Sequence, residues 1–328
     1  MHISRMLLAV ASLIVLAAAF GSRASVDGQA PWRHWQTGLN VGHPLVGKIW
    51  AARENGFVTP RALADDLSDS HFVLIGEVHD NADHHRLQAW LIGEIGRRRK
   101  PTLVVEMIRR DQSAGLDAYL AKPDASAADV GPALDWETSG WPDWPLYQPI
   151  AEAALRAGLR LAAGSPSRAR TRAIGEGGLE TLELEDRRRL ALDRGLPADL
   201  QEALHRDIIQ SHCNALPEEA AGPMAEVQRY RDAIMASALV DGDHDGAILI
   251  AGNGHVRSDR GVPWYLAGLA AQATASSVML IEIPDIAATL SNLLVADPAG
   301  KPAADYFWFT PEARREDQCE LLRRRIER

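Results

Sequence analysis

Five short apolar runs, at 71–76, 102–106, 159–164, 247–252 and 276–283, punctuate the chain. Each is rich in Val, Ile, Leu or Ala and is bounded by glycine or proline. Continuous rather than alternating hydrophobicity fits strands buried on both faces, and helix-length segments separate the runs. Strands alternating with helices predict an α/β fold with a mostly parallel sheet flanked by helices. The stretch at about 180–240 is rich in Leu, Glu, Arg and Ala, with breaks at Gly195-Leu196-Pro197 and Gly222-Pro223, and predicts an inserted small helical subdomain. Residues 136–149 differ in kind. Trp136, Trp141, Trp144 and Tyr147 interleave with Pro142, Pro145 and Pro149, the pattern of a rigid aromatic loop that either anchors on the core or walls a flat ligand site.

The N-terminal pattern concerns destination. Met1 to Arg5 is weakly basic, an apolar run follows to Phe20, and small residues end near Ala24, so 1–24 reads as a cleaved signal peptide and 25–328 as the folded domain. The apolar run is short for a membrane span. No cysteine stands near the cleavage region to carry a lipid, which predicts an exported, soluble periplasmic protein. Cys213 and Cys319 are the two cysteines, and spacing leaves open whether they pair or stay as thiols. A formal net charge of -9 over 328 residues argues against a nucleic-acid partner, because phosphate recognition needs a basic surface.

Chemistry concentrates where two of the strands end. The run at 71–76 leads into Glu77-Val78-His79-Asp80-Asn81, with His84 and His85 in the first turns of a helix that Asp80 or Asn81 caps. The run at 247–252 leads into Asn253-Gly254-His255. Ligands of open α/β sheets bind outside the carboxyl ends of the strands, so these ionisable groups, with Glu106 at a third strand end, are placed for chemistry. Imidazoles and carboxylates make either a divalent-metal site, here Glu77, His79, His84 and His255, or a metal-free acid-base set. Further along, Gln228, Asp232 and Met235 share a helix face, with Arg231 beside them as a candidate carboxylate clamp.

These residues together resemble the ChaN-like haem-binding uptake family, within a wider group that includes erythromycin esterases and TraB/Tiki-type metalloproteases. The resemblance rests on Gly76-Glu77-Val78-His79-Asp80-Asn81 with His84, His85 and Gln88, and on Val105-Glu106-Met107. It extends through His212-Cys213 with Leu216-Pro217, Gln228-x-x-Arg231-Asp232-x-x-Met235, and Gly252-Asn253-Gly254-His255 with Gly261-Val262-Pro263. It implies a haem cofactor, a role in haem and iron uptake, and a tyrosine ligand to ferric iron, for which Tyr147 in the aromatic segment is the choice. His85, Arg231, Met235 and His255 are then the other haem contacts. A homodimer around the flat ligand and a haem receptor or transporter component are the implied protein partners. The wider group implies an alternative, a hydrolase acting on an ester or peptide bond through Glu77, His79, Glu106 and His255, with or without a divalent metal.

Overall fold

The computed structural model describes residues 30–242 and 244–326. The segment 1–24, expected to be a signal peptide, lies outside them. The core sheet has eight strands: β1 (Ile49–Ala51), β2 (Gly56–Val58), β3 (Phe72–Glu77), β4 (Thr102–Arg109), β5 (Leu161–Ser165), β6 (Ala247–Gly252), β7 (Ala275–Ile283) and β8 (Tyr306–Pro311), ordered β2-β1-β8-β7-β3-β6-β4-β5. From β8 to β5 every pairing is parallel, and the short β1 and β2 add an antiparallel edge.

The five runs read from hydrophobicity are β3 to β7. β3 and β6 are buried at every position because helices cover both faces. β8 was not among the expected strands, although its sequence Tyr306-Phe-Trp-Phe-Thr-Pro311 is buried throughout.

On one side α1 (Pro60–Asp69) and α2 (Ala82–Gly96) pack over Val73, Ile75 and Ile250, joined further along the chain by α3 (Ser113–Leu120), α4 (Ala127–Ala133) and α5 (Trp144–Ala157). The opposite face carries α6 (Arg168–Gly177), α7 (Leu184–Arg189), α8 (Ala198–Ser211), α9 (Ala221–Asp241) and α10 (Val262–Leu269), and α11 (Leu290–Leu293) and α12 (Gln318–Ile326) complete the chain. Leu74, Val104 and Leu249 of the sheet meet Ala233, Met235 and Leu239 of α9 in one apolar cluster. The stretch 180–240 therefore supplies a layer of the main core through α9.

Two expected features take a different form. Residues 136–149 are only partly a loop, because α5 begins at Trp144. Pro145 falls in its first turn, where a backbone N–H has no partner inside the helix. Gly222-Pro223 likewise opens α9 rather than breaking a helix. Cys213, just after α8, is disulfide-bonded to Cys319 in α12, closing a separation of 106 residues. Among the described residues no helix is long and apolar enough to cross a membrane.

Candidate functional site

β3, β4, β5 and β6 end side by side, and their carboxyl ends carry two linked clusters of ionisable groups. The first gathers on Glu77, the last residue of β3, which is 2% exposed. His79 Nδ1 lies 2.8 Å from Glu77 Oε1, and the Tyr147 hydroxyl, from α5, donates to the same oxygen at 2.9 Å. His85 Nε2 stands 3.4 Å from Glu77 Oε2 without a well-formed hydrogen bond, its ring 4.2 Å from that of Tyr147. Burial by itself would raise the Glu77 pKa. The neighbouring His85 and His79 outweigh it and hold the carboxyl well below the usual range.

The second cluster gathers on Glu106 of β4, also buried. The Gly252 N–H donates to Oε2 at 2.7 Å, Arg231 pairs with Oε1, and His255 Nε2 lies 3.2 Å from Oε1. On its other side His255 Nδ1 meets Asp232 Oδ1 at 2.6 Å, with the Gln228 amide 3.1 Å from the same nitrogen. Burial disfavours the imidazolium, but Glu106 and Asp232 on either side overcome this and lift His255 to about 9. His255 is thus held protonated between two carboxylates, with Arg231 as the second cation on Glu106.

Glycine joins the two clusters. A Cβ on Gly252 would stand 3.0 Å from His79 Nε2 and 3.7 Å from Glu106 Oε2, so both groups border this residue. A Cβ on Gly76 would collide with the Asn253 side chain and come within 2.7 Å of Val256 Cγ2. Only a residue lacking Cβ lets the β3 and β6 ends approach this closely.

The remaining expected site residues separate. Asn81, not Asp80, caps α2, its side chain accepting from Asp83 and His84 N–H at 2.9 and 3.2 Å. His84 turns away from Glu77: its Nδ1 accepts the Val78 N–H at 2.9 Å and its Nε2 reaches Thr310 Oγ1 at 2.8 Å. Burial, with the neighbouring His85, lowers its pKa to about 3, so it stays neutral.

The expected divalent-metal site of Glu77, His79, His84 and His255 does not assemble. Among the described residues no group of three or more His, Cys, Asp or Glu side chains is arranged to hold a metal ion. Met235 is fully buried in the apolar cluster and cannot touch a ligand in the cleft, and His85 is equally enclosed. Tyr147 is 2% exposed. Burial, then the Glu77 carboxylate it donates to, pushes its pKa far above the ordinary value. This placement opposes the expectation that Tyr147 presents a phenolate to iron.

What remains open is a cleft of about 470 Å³ at the ends of β4 and β5, with Glu106 and Arg231 in its lining. Trp141 forms one wall, and its ring packs edge-on against His79 at 4.8 Å. The His79 side chain is 35% exposed, far more than the other ionisable residues gathered on Glu77. Arg109, Arg168 and Arg172 complete a strongly cationic lining. The sequence reading missed these three, although Arg168 and Arg172, four apart just after a strand and the capping Ser167, carry the spacing of a shared helix face.

Comparison with known proteins agrees with this architecture. The fold matches the structure described as cofacial heme binding to ChaN of Campylobacter jejuni, with a TM-score of 0.63 and 18% identity over 79% of this chain and 95% of that one. The type III effector HopBA1 aligns with a TM-score of 0.43 at 14% identity, over 77% and 93% of the two chains. A mutant of the erythromycin esterase EreC aligns at 0.41 and 11%, over 79% and 95%. No curated protein matches the chain. A family profile described as haem-binding uptake, Tiki superfamily, ChaN matches residues 63–266, most of the chain and both ionisable clusters, and the protein belongs to that family.

Proposed function

We propose that this protein binds haem in the cleft between Trp141 and Glu106, as an exported, soluble periplasmic component of haem and iron uptake. The observation that carries the reading is the cleft, with an aromatic wall and four arginines at one sheet end, and the accessible imidazole of His79 packed against the edge of that wall. A flat, largely apolar ring bearing two carboxylates matches that lining. The donor chemistry also fits. His79 has one ring nitrogen tied to Glu77, the carboxylate–imidazole arrangement that orients a metal-ligating histidine and raises its basicity. Haem supplies the iron centre. The chain's own part is to hold the ring against Trp141, to offer the imidazole of His79 and to meet the carboxylates with arginine.

His79 suits the iron better than Tyr147, whose hydroxyl is buried and committed to Glu77. Export draws support from the Cys213–Cys319 disulfide, because such bonds persist in oxidising compartments. A homodimer around the exposed part of the ring and a haem receptor or transporter component remain the protein partners of this reading.

The test is a haemin titration followed by absorbance on the parent, His79→Ala and Tyr147→Phe. Saturable binding whose ligand-to-iron spectrum changes in His79→Ala and persists in Tyr147→Phe supports the proposal. The reverse pattern returns the ligand role to Tyr147, and absence of binding by the parent removes the haem reading.

A second reading is hydrolysis by Glu77, His79, Glu106 and His255. It is favoured by the buried Asp232–His255–Glu106–Arg231 chain, a proton-handling array that a passive cradle does not require. It ranks second because Glu77 is capped by Tyr147 and His79 and is shut off from a substrate. Turnover of a p-nitrophenyl ester that disappears in Glu106→Gln would put it first.

A further inference from the structure

The charges around Trp141 are not symmetric. On one side lies the cleft containing Arg109, Arg168, Arg172 and Arg231. On the other, Trp141 also lines a groove of about 810 Å³ with Trp136 and Trp144, and the charged residues of that groove are Asp135, Glu137 and Asp143. One indole thus separates a cationic recess from an anionic one.

The four arginines are not equivalent either. Arg231 is neutralised by Glu106, and Arg109 donates to Asp111 Oδ1 at 3.2 Å. The Arg168 guanidinium is steadied by backbone carbonyls, donating to Thr138 O at 2.6 Å and Ser139 O at 3.2 Å, so its charge is positioned without being cancelled. Arg172 stands one turn further along α6 on the same face, exposed, and both side chains line the cleft. The Ser167 side chain accepts the Arg170 N–H, which places the positive end of α6 at the same edge.

We infer that Arg168 and Arg172 form the carboxylate-binding edge of the site, so that a ligand with an apolar ring and two carboxylates enters with its acid groups on the α6 side of Trp141 and its ring edge toward the acidic groove. The inference rests on the haem reading above and adds to it the ligand's orientation and the residues that select for it. Guanidinium groups suit this task because their planar donors meet a carboxylate in two parallel hydrogen bonds. The acidic groove on the far side repels the same carboxylates, so the opposite orientation places like charges together.

The experiment compares haemin with haemin dimethyl ester, which keeps the ring and iron but lacks the charges. Both are titrated into the full chain as the parent, as the Arg168→Ala/Arg172→Ala double variant, and as the Asp135→Ala/Asp143→Ala double variant. The arginines are exposed, so their removal leaves the fold intact and each contact is worth little alone. Together they are expected to give the parent a preference for the diacid of about tenfold, equivalent to about 1.4 kcal/mol. The arginine variant should lose that preference by weakening diacid binding while the ester is unaffected. The aspartate variant should bind the diacid at least as well as the parent. Equal affinity of the parent for the two porphyrins overturns the inference while leaving haem binding in place. So does an arginine variant that keeps the preference or loses both ligands equally. If neither porphyrin binds the parent, the haem reading itself fails.

Discussion

Gly76 shows how much of this site depends on a single residue. It ends the buried run of β3 immediately before Glu77, and its missing side chain leaves room for Asn253 and Val256 from the turn after β6. Asn253 cannot readily yield, because its Nδ2 donates to Leu280 O at 2.8 Å and its backbone N–H to Glu77 O at 3.0 Å. Gly76→Ala would push the β6 turn away from β3 and with it the Gly252 N–H that holds Glu106. Overpacking of this kind costs about 1–3 kcal/mol. Urea unfolding should show that loss, together with weaker haemin binding; a variant as stable as the parent would mean that the turn relaxes without strain.

At the scale of elements, the disulfide joins α12 to the turn after α8, and the two cysteines bracket the whole of β6, β7 and β8. The loop it closes is long, so in the chain-entropy picture the bond stabilises the fold by about 4–5 kcal/mol through the unfolded state. Cys213→Ser/Cys319→Ser should lower the unfolding free energy by that order, measured against the oxidised parent. A loss below about 1 kcal/mol would show that α12 contributes little, or that the unfolded chain stays compact in that region.

The elements also divide by how plainly the sequence announces them. β3 to β7 are legible because covering helices on both faces demand unbroken runs of aliphatic residues. β8 is buried just as completely but is built from Tyr306, Phe307, Trp308 and Phe309 ahead of Pro311, an aromatic run without the aliphatic signature. β1 and β2, three residues each, are too short for any periodicity. Glu77, Glu106 and His255 were legible because strand ends in an α/β sheet carry chemistry. The misplacement of Tyr147 and Met235 has a different origin. The resemblance and the aromatic segment put Tyr147 at the iron, and helical spacing put Met235 on the cleft face, whereas the packing of α5 turns the Tyr147 hydroxyl onto Glu77 and that of α9 sinks Met235 in the core.

Across the whole molecule, the buried charges make stability depend on pH in both directions. His84 has a folded pKa near 3, so below the ordinary histidine value of 6.5 the unfolded chain takes up a proton that the folded chain refuses. Its contribution is lost as pH falls from 6.5 toward 3, roughly 3 kcal/mol by pH 4. Glu77 and Glu106, both depressed, add to the same acid limb, since what they contribute above 4.5 disappears as they are forced to accept protons. His255 works in the opposite sense. Its folded pKa near 9 means that its contribution is complete below 6.5 and is lost as pH rises from 6.5 through 9. Because its proton is shared with Asp232 and Glu106, the alkaline loss is set at roughly 2 kcal/mol rather than the full value of an isolated group. The two limbs meet near pH 6.5, where the oxidised, ligand-free chain should be most stable to urea. His255→Gln should shrink the alkaline limb, leaving the smaller part that His79 contributes. It should also weaken Glu106's share of the acid limb, because His255 is the chief charge that holds that carboxyl down, while the His84 and Glu77 shares stay in place. A stability that stays level from pH 5 to 9 in the parent would mean that these clusters do not hold their protons as their geometry requires.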